Sequence, residues 1–182
     1  MLTQHEFFTK MHPYAVLAAK AVGGVEASLV PVILAQWDVE SGRESLTWVG
    51  HLNYAGITDG GPPNFLQFDS LLAFTCEYVR TLQNGYYEQV LDVARQGRPP
   101  AVVARALAAS PWDAGHYGGD GSILLERLIF YVGQVPTTWP EQVEAARQTL
   151  MAAGVTDGTR GDHSGTRAEV WVMITRALGV RL

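Results

Sequence analysis

A single cysteine, Cys76, in 182 residues excludes an intrachain disulfide framework and a cysteine-built metal site. From the helical pattern around it, a buried structural thiol is expected. Charge is scarce too. Only 17% of residues are Asp, Glu, Lys or Arg, the net charge is −5, and the thirteen basic residues are scattered, which gives no support to a nucleic-acid partner. The five histidines, His5, His12, His51, His116 and His163, lack metal-ligand spacing, so no metal and no other cofactor is expected. No run approaches the ~18 apolar residues of a membrane span. The start, Met1-Leu2-Thr3-Gln4-His5-Glu6, has no basic region leading into an apolar core, so neither a membrane span nor a secretory signal is expected. What is present is 47% apolar content, enough for one domain with a buried core and a small appendage.

The pattern reads mainly as helices. One runs from Thr3 to about Ala21, with a break near Pro13, and stops at Gly23-Gly24. A second runs from Ser28 as cap through Pro31 in the first turn to Glu40, where Gly42 ends it. The segments 53–58 and 64–68 flank Asp59-Gly60-Gly61-Pro62-Pro63, a pattern that predicts a short two-stranded hairpin. Asp69 or Ser70 then caps a helix carrying Leu71, Phe74, Tyr78 and Leu82. Further helices are expected from Tyr86 to Gln96, from Pro99 or Pro100 to Ala109, and from Ser122 to Val132. Between the last two, residues 110–121 mix glycine with aromatics, as a packed surface loop or the wall of a sugar-binding cleft would.

Glu40 is the best candidate for a catalytic acid. Ile33, Gln36, Trp37 and Glu40 fall at i, i+3, i+4 and i+7, so its carboxyl shares a helix face with a large indole. Apolar surroundings disfavour the charged form and raise a carboxyl toward the range useful for proton donation. The bland alternative is a glutamate fraying into water at a helix C-terminus, where its charge is unfavourable.

The ordered segments VILAQWDVESG, NYAGIT, FDSLLAFTCEYVRTL, YYEQV and ALAASPWDAGHYGGDGSILLERLI resemble the bacterial glucosaminidase family, glycoside hydrolase family 73, over about residues 14–133. The resemblance implies an α+β, predominantly helical, lysozyme-like fold in which a small β hairpin forms one lip of a groove, with residues 1–133 as the catalytic domain. It implies hydrolysis of the β-1,4 bond between N-acetylglucosamine and N-acetylmuramic acid in peptidoglycan, with glycan strands as the partner. Glu40 matches the family's acid. Asn53 and Gly56-Ile57 match the strand motif at the cleft wall, Gln36 stands in the helix motif, and Gln36, Asn53, Tyr54 and Gly56 are expected to bind substrate. Tyr117 best matches the cleft tyrosine, with Trp112, Asp113 and His116 around it. Because residues 110–121 depart from the family's loop, Trp112 and Tyr117 both compete for that position.

Glycosidases ordinarily need a second carboxylate, at ~5–5.5 Å for a covalent intermediate or ~6.5–9.5 Å for water-mediated inversion. The hairpin offers only Asp59, and Glu44 lies past the helix stop. A substrate-assisted route, in which the N-acetyl carbonyl attacks the anomeric carbon, would need neither; Tyr117 would then support the oxocarbenium-like state or the acetamido group. The same fold would permit a muramidase acting on the adjacent bond, and a non-catalytic wall-binding protein is the alternative outside enzymes. A monomer is expected, of the phage or prophage endolysin type, held in the host cytoplasm until a separate pore releases it to the wall.

Residues 134–182 read as a separate segment: a linker at 133–138, a helix from Pro140 to about Ala153, and a capping box at Thr166-Arg167-Ala168-Glu169. The stretch GVTDGTRGDHSGTRAEVWVMITRAL resembles one S-layer homology repeat. That implies either binding of secondary cell-wall polysaccharide through Arg167 and its neighbours or a structural helical cap. Asp157 and Asp162 invite a calcium site, but their spacing is not that of a known calcium loop.

Overall fold

A run such as Leu29 to Trp37, apolar on every side except at Gln36, has no face to offer water and must be surrounded. In the computed structural model, which describes residues 1–46, 50–60, 64–112 and 115–134, it is the central helix. The segment 134–182, with its expected linker, helices and wall-binding repeat, lies outside the described residues from position 135 onward, as does Asp113.

Six helices are present among the described residues: α1 (Gln4–Ala21), α2 (Glu26–Ser41), α3 (Leu71–Leu82), α4 (Glu88–Arg95), α5 (Pro100–Ala108) and α6 (Ser122–Val132). Every residue of α2 from Ser28 to Asp38 is buried. Its most extensive neighbours are α6 and α1, with α5 also against it; α3 packs on α1, and α4 on α5. Trp37 reaches α3, its ring 5.0 Å from Phe74 and 5.1 Å from Tyr78. Each large apolar side chain so buried contributes about 1.5–3 kcal/mol.

Several expectations are corrected. Pro13 does not break α1, because it and Thr9 both lie on the exposed side. The Thr9 carbonyl, which the missing N–H leaves unpaired, can turn to water there. A capping box starts the helix, with Thr3 Oγ1 accepting from Glu6 N at 3.2 Å and Thr3 N donating to Glu6 Oε2 at 2.8 Å. Ser28 does not cap α2. The helix begins two residues earlier, after Val25, whose N–H donates to the Ala94 carbonyl at 3.1 Å, so Ser28 is buried in the first turn and Pro31 falls in the second. Ser70, not Asp69, caps α3, accepting from Ala73 N at 3.1 Å. Cys76 is exposed. Phe74 and Tyr78, one turn apart, set the buried face of α3, and a residue two positions from Phe74 is rotated by ~200° away from it.

The β component is smaller than expected. Among the described residues the hairpin consists of one antiparallel bridge, Thr58 with Phe65, supported by Asp59 N to Asn64 O and Leu66 N to Ile57 O, both 2.9 Å. The fold is therefore predominantly helical.

Beyond Ser41 the chain reverses through three consecutive residues with left-handed backbone: Gly42 (φ +54°), Arg43 (φ +51°) and Glu44 (φ +72°). The glycine adopts this at little cost, whereas the other two store strain of about 1–3 kcal/mol each. Side chains hold them there. Arg43 donates to Asp38 at 2.8 and 3.1 Å and to the Leu2 carbonyl at 3.1 Å. Glu44 accepts from Tyr54 at 2.6 Å and pairs with Lys10. The end of α2 is thereby a fixed platform.

Candidate active site

Glu40 occupies the last turn of that platform, half-buried while Gln36, one turn back on the same face, is fully buried. The Tyr117 hydroxyl donates to Glu40 Oε1 at 2.6 Å, joining residues 77 positions apart. Tyr117 comes from the loop before α6. It is 0% exposed, which suits an aromatic body that must be buried and a phenol that must find an acceptor. Burial first, then the charge of Glu40 and the hydrogen bond to it, push the Tyr117 phenol well above its ordinary range; the Gln36 carboxamide pulls the other way. The group therefore remains a proton donor at all physiological pH.

On another side of Glu40 stands Gly56, in left-handed conformation at φ +61°. A Cβ added there would lie 3.2 Å from Glu40 Oε2 and 3.9 Å from the Phe65 ring. The absent side chain is what lets the loop approach the carboxylate. Asn53 sets that loop: its Nδ2 donates to the carbonyls of Ile57 (2.8 Å) and Leu66 (3.0 Å), and its Oδ1 accepts from Ile57 N at 3.0 Å. The Asn-x-x-Gly-Ile motif thus acts as a backbone clip that holds glycine against glutamate.

Several expected site residues are placed differently. Asn53 is 0% exposed with its carboxamide engaged on the backbone, which leaves it no group for a substrate. Tyr54 is 1% exposed and faces Lys10 and Glu44. Burial, and after it the hydrogen bond to Glu44, push its phenol up to about 12. Gln36 is 0% exposed and accepts from the Tyr78 hydroxyl at 2.6 Å. These three lie behind the Glu40 carboxylate: Asn53 and Tyr54 make their hydrogen bonds within the protein, as buried polar side chains generally do, and Gln36 does so through its Oε1. Trp112 is half-buried, its ring 5.4 Å from Tyr78 and 5.3 Å from Tyr87. His116 and Asp59 are exposed. Glu44, the other carboxylate near Glu40 in sequence, is engaged by Lys10 and Tyr54. Tyr117 is buried, with its hydroxyl engaged on Glu40.

One cluster went unforeseen. Asp38, two residues before Glu40, is 1% exposed and receives Arg43, Arg127 at 3.8 Å, and the Tyr131 hydroxyl at 2.7 Å. Its signal was an aspartate inside the apolar run Ile33-Leu34-Ala35-Gln36-Trp37-Asp38, since a charge there must be paired.

Among the described residues, no group of three or more His, Cys, Asp or Glu is arranged to hold a metal, and no helix is long and apolar enough to cross a membrane. No family model, curated protein or solved structure matches the chain.

Proposed function

We propose that this protein is a peptidoglycan hydrolase, an endo-β-N-acetylglucosaminidase of lysozyme-like fold, with Glu40 as its general acid. The observation that carries the proposal is the pairing of a half-exposed glutamate on a rigid helix end with a buried phenol donor, Tyr117, and a glycine that makes room for the carboxylate. With Oε1 accepting from Tyr117, the proton for transfer belongs on Oε2. Protonation of the glycosidic oxygen breaks its bond to the anomeric carbon. The substrate's N-acetyl carbonyl closes on that carbon, and water then opens the ring while Glu40 takes up the water's proton. This substrate-assisted route needs no second carboxylate. Positioned proton transfer of this kind contributes about 10²–10⁴-fold in rate.

Reducing-end analysis of peptidoglycan digested by the purified chain tests the proposal. New N-acetylglucosamine ends are expected. New muramic acid ends would make the protein a muramidase, and no release would leave a wall-binding protein. Glu40→Gln is expected to abolish lysis while thermal unfolding stays near wild type, and Asp59→Asn to retain most activity. Complete loss with Asp59→Asn alone would reassign the acid.

A further inference from the structure

Along an extended segment successive side chains alternate between two faces. Leu66 and Phe68 turn to the buried core, so Phe65 stands on the opposite face. The facing segment agrees. Ile57 is 7% exposed and belongs to the core, whereas Gly56 and Thr58 on either side of it are part-exposed. Thr58 is the bridge partner of Phe65, and residues directly opposite each other carry their side chains on one side of the pair. Phe65 is itself part-exposed. Its backbone is held on both flanks: Asp59 N donates to Asn64 O and Leu66 N to Ile57 O, both at 2.9 Å, and Asn53 Nδ2 donates to Leu66 O at 3.0 Å. An aromatic ring on the outer face of a fixed lip has little conformational freedom left to lose when something binds against it.

That outer face is the one Glu40 meets. A Cβ on Gly56 would lie 3.2 Å from Glu40 Oε2 and 3.9 Å from Phe65 Cε1, so the carboxylate oxygen and the ring edge border the same space, no farther apart than the breadth of one N-acetylhexosamine. Tyr117 engages Oε1, which leaves Oε2 as the oxygen on the Gly56 side. A glycosidic oxygen within hydrogen-bond reach of Oε2 therefore brings one of the two sugars it joins against Phe65. We propose that Phe65 is a sugar-contacting specificity residue, its ring receiving the apolar face of the N-acetylhexosamine bound on the Gly56 side of the scissile bond. The role rests on Glu40 being the acid.

The chemistry of the substrate fits a phenyl ring. In a β-1,4-linked N-acetylglucosamine or N-acetylmuramic acid every ring substituent is equatorial, so each face of the pyranose presents only axial C–H groups. An axial hydroxyl, as in the galacto configuration, would press a polar group on the phenyl ring with no hydrogen bond in return, so the contact selects gluco-configured sugars. It is made in the ground state and kept in the transition state, and its loss belongs in KM and not in kcat.

The test is an NMR titration of the full chain carrying Glu40→Gln, which binds without turnover, with the β-1,4-linked trimer of N-acetylglucosamine. Axial protons of one sugar are expected to move upfield, as they do over an aromatic ring. Adding Phe65→Leu should abolish that shift in a chain whose thermal unfolding is unchanged, Phe65→Tyr should keep it, and Phe65→Ala should weaken binding about tenfold. In the chain with Glu40 intact, Phe65→Ala should raise KM for wall fragments and leave kcat within about twofold. Failure of the trimer to bind, binding without an upfield shift, or equal affinity in Phe65→Ala would each overturn the proposal. A shifted trimer bound to a protein that releases no wall fragments would uphold the sugar contact and sink only the hydrolase.

Discussion

Two carboxylates two residues apart on α2 have been given opposite surroundings. Asp38 is 1% exposed and meets two guanidinium groups and a phenol, Tyr131. Glu40 is half-exposed and meets a phenol, Tyr117, and the bare backbone of Gly56. Both phenols donate at nearly the same distance, 2.7 and 2.6 Å. The guanidinium groups paired with Asp38 tie α2 to α6 and to the left-handed turn at Arg43. A neutral donor orients Glu40 without supplying a countercharge of its own, which suits the general acid proposed above. Helix position alone does not assign a carboxylate its role; the neighbours do.

The comparison can be broken first at Asp38. Asp38→Ala leaves Arg43 facing a buried void and is expected to cost about 3–5 kcal/mol, read as a lowered urea midpoint. Glu40→Gln should stay within about 0.5 kcal/mol of wild type. Equal losses would mean that both carboxylates serve the fold. Tyr131→Phe removes a hydrogen bond to a buried carboxylate and should cost about 1.5–3 kcal/mol by the same measurement.

A smaller effect is expected at Gly56. Gly56→Ala puts a methyl 3.2 Å from Glu40 Oε2 at φ +61°, and should destabilise by about 1 kcal/mol. Its lytic activity should fall much further than that stability change would predict, because Glu40 is displaced. Activity falling only in step with stability would remove Gly56 from the site.

The smallest effect concerns the pairing that holds the turn. Burial alone would raise the Glu44 carboxyl, but hydrogen bonds from Lys10 and Tyr54 hold it below its ordinary range. Burial likewise opposes the charge on Lys10, yet the bonds to Glu44 and Tyr54 raise it. The Glu44 contribution is present above its unfolded value near pH ~4.3 and is lost as pH falls through the lowered folded value. The Lys10 contribution is present below ~10.4 and is lost as pH rises through the raised one. Because the Lys10 side chain is 39% exposed, solvent screening keeps the pair under about 1 kcal/mol. The melting-point deficit of Glu44→Gln should be flat from about pH 5 to pH 9 and shrink toward roughly pH 2. A deficit unchanged at that acid extreme would remove the carboxylate's charge from the explanation.

Much of the helical layout was legible in the sequence, since it follows from local chemistry. The stop of α1 before Gly23-Gly24, the glycine stop after Ser41 and the span Ser122–Val132 all rest on residues within a turn or two of one another. Errors came where packing overrode local preference. Pro13 was tolerated because its side of α1 faces water, and Ser28 was drawn into the helix by burial of the whole run. Tyr117 was named beside Glu40 through motif resemblance, as no spacing rule links positions 77 apart. Asn53 and Tyr54 were assigned to a substrate because their motif suggested a cleft wall; their side chains instead hold the loop that carries Gly56.

The sequence by itself determined that the chain is mostly helical, that α2 must be enclosed, and that a charge or amide within it needs a partner, because hydrophobic periodicity and the cost of burying polar groups are local properties. Which partner each received was decided only by the tertiary structure. Asp38 was turned to α6 and Glu40 toward the loop before it, because two residues along a helix rotate a side chain by ~200° and so hand neighbouring carboxylates to different parts of the fold.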